Sequence, residues 1–177
     1  MKRTKQTKGI TLVEVVVVMA IIGILLGPIL ETVNTNMQLN REANERANAK
    51  DIALLVQNYI YSQVKWANKV EYSTSPLSGY ENIYIDSGQG LIHKVGANER
   101  VVYSKGALHN FNVTLEFKKV SIMEDTLTDV KVIVSKINNG INEHLYTNNT
   151  SMDAINMTSG SIPNTSGNVI AFKVPVP

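Results

Sequence analysis

The distribution of hydrophobic residues along the chain begins with one long apolar run. Residues 10–30 contain one charged residue, Glu14, and one hydroxyl group, on Thr11. As an α-helix they would span roughly 30 Å, the thickness of the hydrocarbon core of a bilayer. We therefore predict that residues 10–30 form a transmembrane helix.

The next segment, residues 31–72, contains neither Gly nor Pro, which predicts that the helix continues. Its first half is polar, and its charged residues are expected on a solvated face: Arg41, Glu42, Glu45, Arg46, Lys50 and Asp51. From residue 52 onward apolar residues recur every three or four positions, so one face of the helix should pack against a domain. Trp66 is expected in that core. The apolar stripe is formed by Ile52, Leu55, Val56, Tyr59, Ile60, Val64, Ala67 and Val70.

Beyond residue 72 the hydrophobic period changes to two, which is typical of β-strands with one buried face. The chain is thus predicted to be α+β, with its helix packed on an antiparallel β-sheet formed by a domain of residues 73–177. Residues 73–79 and 147–167 are predicted loops, and Asn139-Gly140 is a predicted tight turn. Strands are predicted at 82–86, 91–95, 100–104, 112–118, 129–136, 143–146 and 168–174.

The residues before the apolar run are strongly basic. Residues 1–9 contain four cations and no acid, which predicts that the N-terminus stays in the cytoplasm while the rest crosses outward. The chain has 17 basic and 15 acidic residues, so without this segment the side chains carry a small negative charge. That charge does not favour nucleic acid as a partner. The four basic residues are Lys2, Arg3, Lys5 and Lys8.

Two general explanations account for only part of this N-terminal pattern. A secretory signal peptide explains the basic start and the apolar run, but no small-residue cleavage site follows Leu30. A simple signal anchor explains the length of the run. Neither explains Glu14, because a carboxylate inside a bilayer is costly and usually has a specific partner.

The segment resembles the class III signal peptide of type IV prepilins and type II secretion pseudopilins. The resemblance rests on Lys8-Gly9, the following Ile10-Thr11-Leu12-Val13-Glu14, and the apolar residues after them. It implies that a prepilin peptidase cuts after Gly9 and methylates the new amine of Ile10, so the apolar helix survives processing. It also implies that Glu14 pairs with the amine of a neighbouring subunit during filament assembly. Such a pair sets register more than it adds stability.

The same resemblance implies a ladle-shaped pilin fold and a structural role. The domains expected from it are a leader peptide (1–9), a membrane and filament-core helix (10–30), its amphipathic continuation (31–72) and a β-rich head (73–177). The protein would be a minor pilin or pseudopilin of a surface filament for adhesion, motility, secretion or DNA uptake. Composition and the short Lys-rich leader favour a Gram-positive source.

The partners implied by the resemblance are other pilin subunits, the prepilin peptidase, an assembly platform and its ATPase, and membrane lipid before assembly. The protein is expected to be held in the cytoplasmic membrane first and on the cell surface afterwards. An alternative is a membrane-tethered binding module, such as an adhesin or a competence component that captures DNA, which does not polymerise and does not need Glu14.

The sequence contains no pattern of residues typical of an enzyme or a metal site. His93, His109 and His144 are far apart and lack paired ligand spacing, so they are expected to face solvent. Neither a metal nor another cofactor is predicted, and we expect no catalysis. Residues 86–90 are interpreted as an ordinary hairpin turn. Gly27-Pro28 is a predicted helix break.

Overall fold

The computed structural model describes residues 11–119, 127–153 and 166–175. The chain forms two compact units, Met1–Asn44 and Glu45–Pro177. The helix α1, Leu12–Val64, contributes residues to both. In the first unit its side chains are exposed, whereas in the second unit one face of it is buried.

The apolar part of α1 continues through Pro28 without interruption, so the predicted helix break at Gly27 and Pro28 is wrong. Proline has no backbone N–H, which removes one hydrogen bond of the helix. The adjoining turns remain helical, and the Thr32 hydroxyl donates to the Pro28 carbonyl at 2.8 Å.

The helix ends at Val64, and the expected continuation to residue 72 is wrong. The Ala67 N–H donates to the Val64 carbonyl at 2.9 Å and closes a turn at the end of the helix. Strand β1 follows at Lys69–Ser73. Its residues Val70 and Tyr72 are buried and alternate with more exposed neighbours, as a half-buried strand requires.

The second unit contains two antiparallel sheets where the sequence predicts one. The first sheet has the strand order β1-β9-β2-β3-β4, and the second has the order β7-β6-β5-β8. Each predicted strand is confirmed as an element, and except in β7 its ends lie within two residues of the predicted ones. The remaining bounds are β2 Glu81–Asp86, β3 Gly90–Val95, β4 Asn98–Ser104, β5 Asn112–Lys119, β6 Leu127–Asn138, β7 Ile141–Asp153, β8 Ser166–Gly167 and β9 Val169–Lys173.

Strand β7 is longer than the sequence predicts. The first part of the predicted loop 147–167 continues this strand to Asp153, paired throughout with β6. Pairing to a long neighbour supplies the backbone hydrogen bonds that residues of low strand preference need. Residues 154–165 of the predicted loop lie outside the described residues. The turn at Asn139-Gly140 is confirmed, and both residues have positive φ, at 50° and 79°.

The core of the second unit joins α1 to both sheets. Ile52, Val56 and Ile60 of α1 are buried in one cluster with Phe117 of the second sheet and Ile170 of the first. The predicted apolar stripe is therefore confirmed at most positions. It is wrong at Leu55, which is 42% exposed, and Trp66 is 52% exposed rather than part of the core.

Hydrogen bonds hold α1 to both sheets. The Tyr59 hydroxyl lies 2.8 Å from His93 Nδ1 on β3, and the Tyr59 ring meets the Tyr103 ring of β4 edge-on. On the other side the Gln57 amide oxygen accepts a hydrogen bond from Asn148 of β7. The helix α1 therefore contacts strands β3 and β4 of the first sheet and strand β7 of the second.

One polar pair lies inside the core. The hydroxyl groups of Tyr72 and Thr128 are 2.6 Å apart, and these residues are 0% and 1% exposed. The Tyr72 ring stacks on Phe117 with a centroid distance of 6.3 Å. Burial raises the pKa of Tyr72 to about 12.

Replacing Tyr72 with Phe should lower the free energy of unfolding by about 1–2 kcal/mol, because the buried Thr128 hydroxyl loses its partner. Urea unfolding of the full chain in micelles, followed by the near-UV circular dichroism of the second unit, measures the change. Tyr84→Phe is the control, since the Tyr84 hydroxyl bonds Glu99 at the surface. An equal loss in both variants would contradict the assignment.

Stability should also depend on Tyr72 at high pH. The ordinary pKa of an unfolded tyrosine is roughly 10. In the folded chain the pKa of Tyr72 is raised to about 12, so its hydroxyl stays neutral to a higher pH. The stabilisation is therefore complete below about pH 10 and is lost as the pH rises towards 12. The unfolding free energy of wild type should fall more steeply over this interval than that of Tyr72→Phe. Parallel slopes would show that Tyr72 does not contribute.

Candidate functional site

The N-terminal end of α1 is built around Thr11 and Glu14. Thr11 directly precedes the first helical residue, Leu12. Its N–H donates to Glu14 Oε2 at 2.9 Å, and its hydroxyl donates to the same oxygen at 3.1 Å. In return the Glu14 N–H lies 3.3 Å from the Thr11 hydroxyl oxygen.

These three contacts form a capping box. The first N–H groups of a helix have no partner within the helix, and a Thr-x-x-Glu sequence satisfies two of them reciprocally. The carboxylate also lies at the end of the helix where a negative charge is favourable. The Thr-x-x-Glu signal is present in the sequence, although from the family resemblance Glu14 is expected only to pair with a neighbouring subunit.

The predicted processing residues lie outside the described part of the chain. They are Lys2, Arg3, Lys5, Lys8, Gly9 and Ile10. Of the residues expected to take part in cleavage and assembly, Glu14 is the one whose contacts the structure describes.

The apolar residues after Glu14 are exposed in the isolated chain. Met19 is 68% exposed and Ile24 is 75% exposed. Within the described residues, α1 is the one helix long and apolar enough to cross a membrane. An apolar surface of this extent is unfavourable in water, so it requires lipid or other helices around it.

The head contains one partly buried histidine. The side chain of His93 is 11% exposed, so the expectation that it faces solvent is wrong. Its Nδ1 lies 2.8 Å from the Tyr59 hydroxyl, and its Nε2 lies 3.1 Å from Glu81 Oε2. Both ring nitrogens therefore have partners, and the residue links α1 to the first sheet.

The other two histidines lie elsewhere and do not approach His93. His144 is exposed on β7 and its Nε2 lies 2.6 Å from the Thr147 hydroxyl. His109 is exposed in the loop before β5. Within residues 11–119, 127–153 and 166–175, no three His, Cys, Asp or Glu side chains are grouped as metal ligands.

Glu45, which we expected on a solvated helix face, has a partner within its own unit. Its carboxylate forms an ion pair with Lys136 near the end of β6, and Glu143 of β7 lies 3.5 Å from the same ammonium group. The hydrogen bond to Glu45 raises the pKa of Lys136. This ion pair therefore links α1 to the second sheet.

Two lysines face each other across the pair of β1 and β9. Lys69 is the register partner of Lys173, and both ammonium groups lie over the Tyr80 ring, at 5.3 and 4.5 Å from its centre. Glu71 compensates the repulsion and forms an ion pair with Lys69 at 2.7 Å. Partial burial opposes ionisation of Glu71, but hydrogen bonds from Lys69 and Tyr80 hold its pKa below the ordinary value. This cluster stabilises the strand pair.

Parts of this sequence and of this fold are similar to known proteins. Residues 4–30 match the prokaryotic N-terminal methylation motif. The structure of the PilB minor pilin from Streptococcus sanguinis is 17% identical, with a TM-score of 0.49, over 77% of this chain and 36% of that one. The D319A mutant of that protein gives 16% identity and a TM-score of 0.51, over 76% and 35% of the two chains. No curated protein matches the sequence.

This chain covers little more than a third of each PilB chain, 36% and 35%. At such low identity the similarity to the mutant structure shows the fold alone. A methylation motif begins the chain, and a long helix that continues from it packs on antiparallel sheets, which is the pilin fold. The chain therefore combines an N-terminal methylation motif with a pilin fold.

Proposed function

We propose that this protein is a minor pilin or pseudopilin, a structural subunit that is processed after Gly9 and assembled into a surface filament through α1. The observation that carries the proposal is the placement of Glu14 at the N-terminal end of an exposed apolar helix. An acid in this position needs a cationic partner once it leaves water. The new amine of Ile10, on a neighbouring subunit, is that partner.

The capping box leaves room for this pairing. Both hydrogen bonds from Thr11 go to Oε2 of Glu14. Within the described residues, Oε1 of Glu14 accepts no hydrogen bond. A neighbouring amine can therefore approach Oε1 while Thr11 continues to cap the helix, so that assembly does not require the first turn of α1 to open.

Close packing between helices would also favour the filament over the membrane. Lipid is as apolar as α1, so burial alone does not favour association, and helices associate in lipid where small residues allow close approach. Gly23 and Gly27 lie one turn apart on α1, and nothing lies within 4 Å of the position of an added Cβ at either. Another helix can approach this face closely.

The basic residues before Gly9 would keep the N-terminus in the cytoplasm while the head crosses the membrane. The subunit would wait in the cytoplasmic membrane and leave it when an assembly platform with its ATPase extracts it. The similar structure of the D319A mutant, with a TM-score of 0.51, is that of a minor pilin, which favours a minor subunit. The activity of the filament, whether adhesion, motility, secretion or DNA uptake, would depend on the head.

The native protein should begin at Ile10 and carry one methyl group on its amine. Intact-mass and N-terminal peptide spectrometry of protein purified from its own cells measures both features. In cells without the prepilin peptidase, the chain should begin at Met1 or at Lys2. Native protein that has lost the whole apolar helix would exclude this proposal.

Replacing Glu14 with Gln should reduce incorporation into filaments at least tenfold, because the charge is lost while the cap is kept. Gln serves in a capping box as Glu does, so the change separates the two roles of the residue. Immunoblots of sheared filaments, normalised to the amount in the membrane, give the ratio.

The matched control is Glu31→Gln, which removes an acid from the same helix beyond the apolar run. It should leave incorporation unchanged. Full incorporation of Glu14→Gln would mean that the carboxylate acts only as a cap. The alternative of a membrane-tethered binding module that does not polymerise would then be favoured.

A further inference from the structure

A cleft of about 640 Å³ opens in the second unit between the two sheets. It lies beside the turn that joins β2 to β3 and along the first residues of β5. Its volume is within the range of small-molecule sites, which is roughly 300–1,000 Å³. Nothing in the proposed filament role of α1 uses this cleft.

The polar part of the lining consists mainly of amides and of the hydroxyls of Ser87 and Thr114. Asn112 begins β5, Asn142 lies on β7, and Asn168 directly precedes β9. Within the described residues, the side chains of these three and of Thr114 make no hydrogen bond to other protein groups. Each amide offers two donors and an acceptor, and each hydroxyl can do both. The lining therefore presents donors and acceptors together.

The charged residues of the lining are already engaged. Asp86 Oδ1 accepts hydrogen bonds from the N–H groups of Gly88 at 2.9 Å and Gln89 at 2.8 Å. The Lys105 ammonium group donates to the Ser87 carbonyl at 2.6 Å. Their charges cancel, so the cleft is not suited to a phosphate or a polyanion.

An aromatic ring contributes an apolar surface to the same cleft. Phe111 is half-buried and lies at the end of the loop that follows β4. The two residues before it, His109 and Asn110, have positive φ values of 52° and 58°, which is uncommon for residues other than glycine. Hydrogen bonds from Asn110 to the Lys105 carbonyl and from Phe111 to the Leu108 carbonyl, at 2.9 and 3.0 Å, hold this shape. These bonds fix the backbone of the loop, and the His109 ring stacks on the Phe111 ring with a centroid distance of 6.3 Å. The cleft therefore meets only the part of the Phe111 ring that His109 and the core leave open.

We propose that this cleft binds a neutral, polyhydroxylated ligand, a saccharide unit of a glycan. Sugar hydroxyls donate and accept hydrogen bonds, as the amides of the lining do, and the C–H face of a sugar ring packs on an aromatic side chain. A lipid chain would leave the three amides without partners, and an anion would meet the Asp86 carboxylate as well as the Lys105 ammonium group.

The test uses the full mature chain in dodecylphosphocholine micelles, because this detergent has no sugar headgroup. The probes are glucose, galactose, mannose, N-acetylglucosamine and N-acetylgalactosamine, with inorganic phosphate as the anionic probe. Saturation-transfer difference NMR detects binding, and titration of the sugar that binds most tightly gives its dissociation constant. Saturation transfer to at least one sugar, with no binding of phosphate, is the expected result.

Asn142→Ala should raise the dissociation constant of that sugar roughly fivefold, the effect of one lost hydrogen bond to a neutral group. Asn149→Ala is the matched control, since Asn149 is also an exposed asparagine of β7 but does not line the cleft. It should leave the constant unchanged. Thr114→Val provides a second variant of the lining, with the near-UV circular dichroism of each variant compared to wild type.

The proposal is overturned if none of the five sugars receives saturation, if phosphate binds more tightly than any sugar, or if Asn149→Ala weakens binding as much as Asn142→Ala. It is also overturned if both Asn142→Ala and Thr114→Val keep the wild-type dissociation constant.

Discussion

Ile52, Val56 and Ile60 of α1 lie in one buried cluster with residues of both sheets, and the rest of the head depends on this packing. Neither sheet covers its own apolar face, and α1 packs on residues of both. The contacts of α1 with His93 and Asn148 fix it to each sheet. Burial of a large apolar side chain contributes about 1.5–3 kcal/mol, so these three residues contribute substantially to the stability of the unit.

The same helix meets a different requirement in its first part. Its side chains before residue 45 are not covered by the chain itself, and those of residues 12–30 are almost all apolar. An apolar helix of this length is stable in lipid or among other helices because it satisfies its own backbone hydrogen bonds. One helix therefore contains a segment that requires an apolar environment and a segment that the head buries. Pro28 does not interrupt α1, since the helix continues through it.

The elements that the sequence predicts well are those with a strong period. The stripe from Ile52 to Val64 repeats at three and four residues, and β5 and β6 alternate, so the helix and these strands follow directly. The end of the helix could not be predicted in the same way. Val70 fits the helical spacing, yet it also alternates with Tyr72, and pairing with β9 selects the strand.

Other features arise only from tertiary structure. The Asn-rich and Thr-rich end of β7 has no strand pattern, and it becomes a strand because β6 is long enough to pair with it. Trp66 would fit a core by its type, but it follows the end of α1 and remains half-exposed. The amides of Asn112, Asn142 and Asn168 are far apart in sequence, and only the meeting of the two sheets brings them to one cleft. The Thr11-x-x-Glu14 box, by contrast, can be recognised in the sequence.

The capping box changes how the acid in the apolar helix should be understood. A carboxylate that waits in a membrane without a partner would be protonated or would draw water towards it. Glu14 has partners within its own chain, because its Oε2 accepts hydrogen bonds from the N–H and the hydroxyl of Thr11 at the positive end of α1. In the proposed filament, its Oε1 would accept the amine of a neighbouring subunit. Since the cap is made within one chain and the proposed amine belongs to another, the same residue would stabilise the start of the helix and set the register between subunits.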